Sequence, residues 1–177
     1  MMQASFIHLR VSSEFSISRG LLRINEIIDN AKKLKMPAVA LTDLNNMFGM
    51  VKFFKKAEAT GIKPIAGTIL NLKSPSGELG EILCLAKNND GLKQLMGIIS
   101  KSQLQQENGH ISVSFDDLSS CAGNIIVISG GSSSTIFNLV KHQKIQDLKT
   151  ELLSFKETFK NDFIIEIQRL GKTFEEE

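Results

Sequence analysis

Four positions at the ends of predicted strands carry side chains able to do chemistry: Ser12, Asp43, Thr68 and Ser129. In parallel α/β sheets the loops that follow the strands hold the site, so these four are the first candidates. The set contains one carboxylate and no imidazole. Metal-dependent hydrolysis draws on several His and carboxylate ligands converging at strand ends. The chain has three histidines, His8, His110 and His142, none paired at metal-ligand spacing. His8 falls inside a predicted strand and reads as structural, whereas His110 and His142 stand in polar surroundings and are expected to face solvent. Ser12 and Ser13 have no visible base partner, so a nucleophile reading is weak. Ser129-Gly130-Gly131-Ser132 could offer amides to a phosphate at a helix start. It lacks dinucleotide or P-loop spacing and reads as a glycine-rich strand-to-helix turn. Asp116 and Asp117 follow Ser114 and suit the first turn of a helix, where the dipole favours negative charge.

The stretch that must position this set is Met36 to Gly67. Ala38-Val39-Ala40-Leu41 is a short apolar run that suits a strand buried on both faces. Thr42-Asp43 is expected to end it and open a turn that Asn45 and Asn46 continue. A helical period follows, with Met47, Met50, Val51, Phe54 and Ala57 on one face. Gly61 is placed to stop that helix, and Ile62 to Leu72 reads as the next strand. Strand, helix and strand with short links imply a parallel pair joined by a right-handed crossover.

Around this unit the chain reads as further strand and helix segments. Phe6 to Val11 is a first strand. Ile24, Ile27, Ile28, Ala31 and Leu34 recur at helical spacing and are expected to pack inward. A turn at Ser74 to Gly77 and a strand over Glu81 to Ala86 make a hairpin, so the sheet is not purely parallel. Asn88 to Asp90 looks like a helix start, with Leu92, Leu95, Met96 and Ile99 as its buried stripe and a polar loop over Gln103 to Gly109. A short helix is expected over Ser114 to Ser120 and a strand over Ile125 to Ile128. Helices over about Ser133–His142 and Ile145–Phe159 follow, the second with Leu148, Leu152, Phe155 and Phe159 inward. Phe163 to Ile167 is a last strand. Repeated units of this kind point to α/β, as an open sheet or a barrel.

At 177 residues and 42% hydrophobic content the chain can build one real core. A net charge of +2 neither demands nor excludes nucleic acid, because clustering matters more than the total. The densest basic groups are Lys32, Lys33 and Lys35, and Lys52, Lys55 and Lys56; they read as solvated helix faces in preference to a phosphate-binding patch. Cys84 lies in an apolar run and Cys121 far from it, which argues against a disulfide framework. No signal pattern and no apolar stretch of bilayer length is present. A cytoplasmic protein without a membrane partner is the expectation. The chain is also too short to close a barrel comfortably, which points to a piece of something longer.

Four segments occur in an order and spacing that resemble a known family: FIHLRVSSEFSISRGLLRINEII, PAVALTDLNNMFGMVKFFKKAEATGIKPIAG, LCLAKNNDGLKQLMGIISKS and IIVISGG. They resemble the N-terminal polymerase-and-histidinol-phosphatase (PHP) domain of bacterial replicative DNA polymerase alpha subunits, from about Phe6 to Gly171. The resemblance implies that residues 1–177 are one PHP domain. The implied fold is an α/β, distorted (β/α)7 barrel, incomplete at its C-terminus here, with the polymerase palm, thumb and fingers absent.

Active members of that family hold three metal ions at the strand ends and hydrolyse phosphoesters. The resemblance places Arg10 and Ser12 at the family's His-x-His, and Arg19 at its next acid. It places Leu44 after Thr42-Asp43 where the family has Thr-Asp-His, and Ile69 at the acid of Gly-x-Glu. Glu81, Gln103 and Leu170 fall at three further histidines. Asp43 alone survives. Cationic and aliphatic groups in place of ligands repel or ignore a divalent ion. The reading is therefore a degenerate metal site with no catalytic residue and no cofactor, with Arg10 expected to pair with Asp43 or Glu81 instead. The resemblance further implies that magnesium and primer-template DNA belong to the polymerase palm of the parent chain. The same resemblance implies that this domain docks the proofreading exonuclease (epsilon) subunit and the rest of the alpha chain. The rival reading is a working metal-dependent phosphoesterase or proofreading exonuclease. A nucleic-acid-binding module using the lysine-rich helices is a third.

Overall fold

A computed structural model describes residues 6–17, 19–106, 109–169 and 171. Among the described residues six α-helices and six strands follow one another in the order α1 (Ile24–Lys33), β1 (Ala38–Leu44), α2 (Met50–Thr60), β2 (Lys63–Lys73), β3 (Leu79–Ala86), α3 (Asn89–Leu104), β4 (Val113–Ser114), α4 (Phe115–Ser119), β5 (Ile125–Ile128), α5 (Thr135–Lys141), α6 (Ile145–Phe159) and β6 (Phe163–Ile164), with one 3-10 turn at Lys160–Asp162. The strands form one mixed sheet in the order β1-β2-β3-β5-β6, with β4 beside β2. β1 and β2 are parallel, the β2–β3 hairpin is antiparallel, and β5 and β6 are parallel.

Caps and breaks fall where the side chains dictate. Asn88, Ser114 and Ser134 each accept a hydrogen bond from a first-turn amide of α3, α4 and α5. Gly61 ends α2 at φ 74°, a conformation that favours glycine. Alternation along the strands splits the core. Leu70, Leu72, Ile82, Cys84, Ile125 and Val127 face α3, α4 and α6, where Leu95, Leu118, Phe155 and Phe159 meet them. Val39 and Leu41 face α1 and α2. Ala40, Ile69, Leu83, Leu85 and Ile128 line the opposite face in a much thinner cluster. Both cysteines are free and buried. Burial, with Cys121 adding to it, pushes the Cys84 thiol far up.

Several sequence expectations are corrected. Phe6 to Val11 runs beside β1 without forming a ladder. Its carbonyls at His8 and Val11 accept from Ala40 and Thr42, while the Val11 amide is diverted to the Thr42 hydroxyl. Thr42 and Asp43 belong to β1; the turn begins at Asn45, whose φ is 51°. Because α2 starts only at Met50, its inner face is Met50, Phe53 and Ala57, and Val51 is 69% exposed. Leu34 caps α1 instead of packing within it and is exposed. In α3, Ile98 takes the buried place expected of Met96. His8 is exposed, edge-on to Phe6.

The sheet curls. Phe6–Val11 flanks its first strand and β6 is its last, yet Arg10 reaches Glu166, just past β6. Phe6, Leu9, Leu83, Ile128, Ile164 and Ile165 line a cavity of about 320 Å³ between these two edges.

Candidate functional site

The strand ends gather most of the positions that the sequence singles out. Leu44 and Ile69 are direct partners in the β1–β2 register, and Ile69 is opposite Leu83. Glu81 pairs with Asn71 farther along the hairpin. Gln103, at the end of α3, donates to the Asn45 carbonyl at 3.2 Å. Ser12 is half-buried between the Val11 and Ser13 contacts. Leu170 lies outside the described residues.

Asp43 is fully buried, and both its oxygens are engaged by neutral donors. One accepts from the Ser13 amide at 2.7 Å and the Ser16 hydroxyl at 2.6 Å. The other accepts from the Ser13 hydroxyl at 2.7 Å. Ser16 Oγ in turn accepts from the Leu44 amide, and Thr68 Oγ1 donates to the Asp43 carbonyl at 2.8 Å. This cage fastens the loop after Val11 to the end of β1.

Both arginines are committed to carboxylates. Arg10 meets Glu166 through two bonds, Nε to Oε1 at 2.9 Å and Nη2 to Oε2 at 2.6 Å. This fork geometry is among the stronger ion-pair arrangements. Gln168 donates to Glu166 at 2.7 Å, and the Glu166 amide donates to Ser129 Oγ at 2.9 Å. Arg19 meets Glu81 at 2.5 Å. The partner expected for Arg10, Asp43 or Glu81, is therefore corrected to Glu166. Asp43 is occupied by serines and Glu81 by Arg19.

Glu166 and Ser16 are not among the positions that the sequence singles out, and Ser13 is read there only as a weak nucleophile. Glu166 was visible as the one charge within the apolar run Phe163 to Ile167. Ser13 and Ser16 gave no signal beyond their spacing in the loop that faces Asp43. Ser129 is present at the rim, but as an acceptor for the last strand. The turn at Gly130 is a packing device: its φ is 78° and a Cβ there would stand 2.6 Å from the Glu81 carbonyl.

Chemically, this arrangement offers little to a cation. The donors a divalent ion would use are bonded to hydroxyls, amides or guanidinium groups. Leu44 and Ile69 offer no lone pair. Among the described residues, no three His, Cys, Asp or Glu side chains stand close enough to share an ion. These described residues, as they are bonded here, do not fit a metal cluster.

Comparison with protein families matches residues 8–170 to the PHP domain. The chain is 37% identical over 179 residues to the DNA polymerase III subunit alpha of Borreliella burgdorferi, covering 96% of this chain and 16% of that protein. To the same subunit of Vibrio cholerae it is 36% identical over 180 residues, covering 99% and 15%. The chain thus spans about a sixth of the length of these relatives. A solved amidohydrolase from Chromobacterium violaceum superposes with TM-score 0.43 and 19% identity, over 83% of this chain and 53% of that one.

Proposed function

The chain belongs to the PHP-domain family, and from that membership we propose that it is the PHP region of a replicative DNA polymerase alpha subunit, a non-catalytic scaffold that docks the proofreading exonuclease subunit. The relatives that share its sequence carry the alpha-subunit name. Template-directed DNA synthesis, its magnesium and its contacts with primer-template DNA then belong to the palm of the parent chain. The curl of the sheet fits a distorted sevenfold barrel whose remaining strands come from that parent.

One observation carries the scaffold reading. At the strand ends, Arg10 and Arg19 are neutralised by Glu166 and Glu81, and the one surviving acid is enclosed by Ser13 and Ser16. Ion pairs and hydroxyls do there the joining that metal ions would otherwise do. A site that binds by shape keeps its core packing while losing its ligands, and both helix-facing clusters are extensive here.

The test has two arms. Protein purified without chelator is analysed for zinc and manganese and assayed on a phosphoester. The expected result is metal far below stoichiometry and no chelator-sensitive hydrolysis. Near-stoichiometric metal together with activity lost on chelation overturns the scaffold reading in favour of a phosphoesterase. In the second arm, co-elution with the purified exonuclease subunit of the same organism is expected; its failure removes the docking role.

A further inference from the structure

The end of the molecule opposite the candidate site gathers positive charge that nothing above uses. α2 joins parallel strands, so its C-terminus lies beside the starts of β1 and β2, and α1, which leads into β1, ends there too. Lys32 and Lys33 lie in the last turn of α1. Lys35 follows in the link to β1. Lys63 opens β2 and donates its amide to the Pro37 carbonyl at 3.0 Å. The antiparallel β3 ends on the same side, which brings in the first half of α3 with Lys93. Among the described residues these five lysines have no ion-pair partner, whereas Lys56 is taken by Asp29 and Lys87 by Asp162. Two unpaired acids, Glu58 and Asp90, share the region. Between Lys63 and the start of α3 runs a cleft of about 260 Å³, lined also by Lys87, Asn88 and Asn89.

A helix C-terminus favours cations, and this accounts for Lys32 and Lys33. It says nothing for Lys35 or Lys63. The dipole gives Lys93 no support, because that residue lies in the N-terminal half of its helix. The cluster comes from four separate segments that only the fold brings together, so one amphipathic pattern does not explain it. All five charges are ammonium groups, compact point charges without the planar fork that reads a base edge.

We infer that this lysine-bearing end is a second binding surface, one that tracks the phosphate backbone of duplex DNA without reading sequence. It lies away from the strand-end loops, so a partner docked there would leave it free. The inference does not depend on the scaffold reading, which concerns the other end.

The test is anisotropy of a fluorescent duplex of about 20 base pairs, titrated with the 177-residue chain at salt from about 50 to about 200 mM. The double variant Lys63→Glu with Lys93→Glu spares the helix-terminal lysines, so the fold should persist; an unchanged thermal midpoint checks that. Binding should weaken at least about tenfold at the lower salt, and the log–log salt slope should fall by about 2, near 0.9 for each lost phosphate contact. Lys141→Glu with Lys149→Glu, on α5 and α6, changes net charge equally and should leave the affinity within about twofold. Scrambled duplexes should bind alike. The inference is overturned if the unsubstituted 177-residue chain shows no salt-dependent binding. It is equally overturned if both double variants weaken binding to the same degree, since net charge alone would then be responsible.

Discussion

Among the described residues two carboxylates are wholly buried, Asp43 at the end of β1 and Glu151 in the middle of α6. Neither meets a cation among the described residues. Asp43 takes three bonds, one from a backbone amide, all from residues within a single short loop. Glu151 takes two, from the hydroxyl of Ser76 on the β2–β3 turn and from that of Thr135 at the start of α5. The first group organises one loop against one strand. The second joins a hairpin tip to a helix pair, and the nearby Lys144–Glu78 pair makes the same connection at the surface. The difference lies in what each leaves behind if removed. An amide in a fixed loop cannot turn away, whereas a hydroxyl on the exposed Ser76 can rotate toward water.

That contrast can be broken by measurement. Asp43→Ala should have the largest effect, a loss of about 3 kcal/mol or more by urea unfolding, because three buried donors lose their acceptor. Glu151→Leu should cost less, about 1–2 kcal/mol, since an apolar residue suits that face and only Thr135 keeps a buried hydroxyl. If Glu151→Leu proved the costlier, the argument from fixed and rotatable donors would be wrong. Arg10→Ala should follow at about 1 kcal/mol and diminish in high salt. That pair is part-exposed, and Glu166 keeps Gln168 as a donor. An unchanged melting temperature would show that Arg10 and Glu166 do not hold the sheet edges together.

Asp117→Asn should have the smallest effect, a few tenths of a kcal/mol. The hydrogen bond from Lys101 holds the Asp117 carboxyl below its usual range, against the opposing effect of burial. A lowered folded value means that the contribution is present above the ordinary aspartate range. It fades as pH falls through the folded value. The difference between the unsubstituted chain and Asp117→Asn should therefore shrink in acid and stay level near neutrality.

Legibility followed local chemistry. Gly61, Asn88 and Ser114 stand at element ends because their side chains, or the lack of one, settle matters within three or four residues. The β2–β3 hairpin and the α5–α6 pair were equally plain. Helix faces were less so. The stripe through α2 rotated because Met47 precedes the helix, and Phe53 took the place given to Val51. Glu151 lies at i+3 from Leu148 and four before Phe155, inside the apolar stripe. A charge at such a position was the available clue to a buried acid. The two-residue β4 left no pattern to find.

At the candidate site, the resemblance supplied positions, and the sequence did not supply their partners. Leu44, Ile69 and Glu81 lie on one sheet, as the family resemblance implies. What Arg10 would meet depended on curvature accumulated across five strands, which no short window contains. Asp43 was seen as a lone acid, but its serine partners sit in a loop whose path is fixed only once β1 is in place.

The Arg10–Glu166 contact spans 156 positions. On a ribosome, Arg10 would emerge on the order of ten to thirty seconds before the residue that receives it. Throughout that interval the outer flank of β1 has only the loosely held Phe6–Val11 stretch beside it. Nascent chains are therefore most exposed to mispairing with one another before Glu166 leaves the exit tunnel. A chaperone acting on this protein during translation would find its best foothold there.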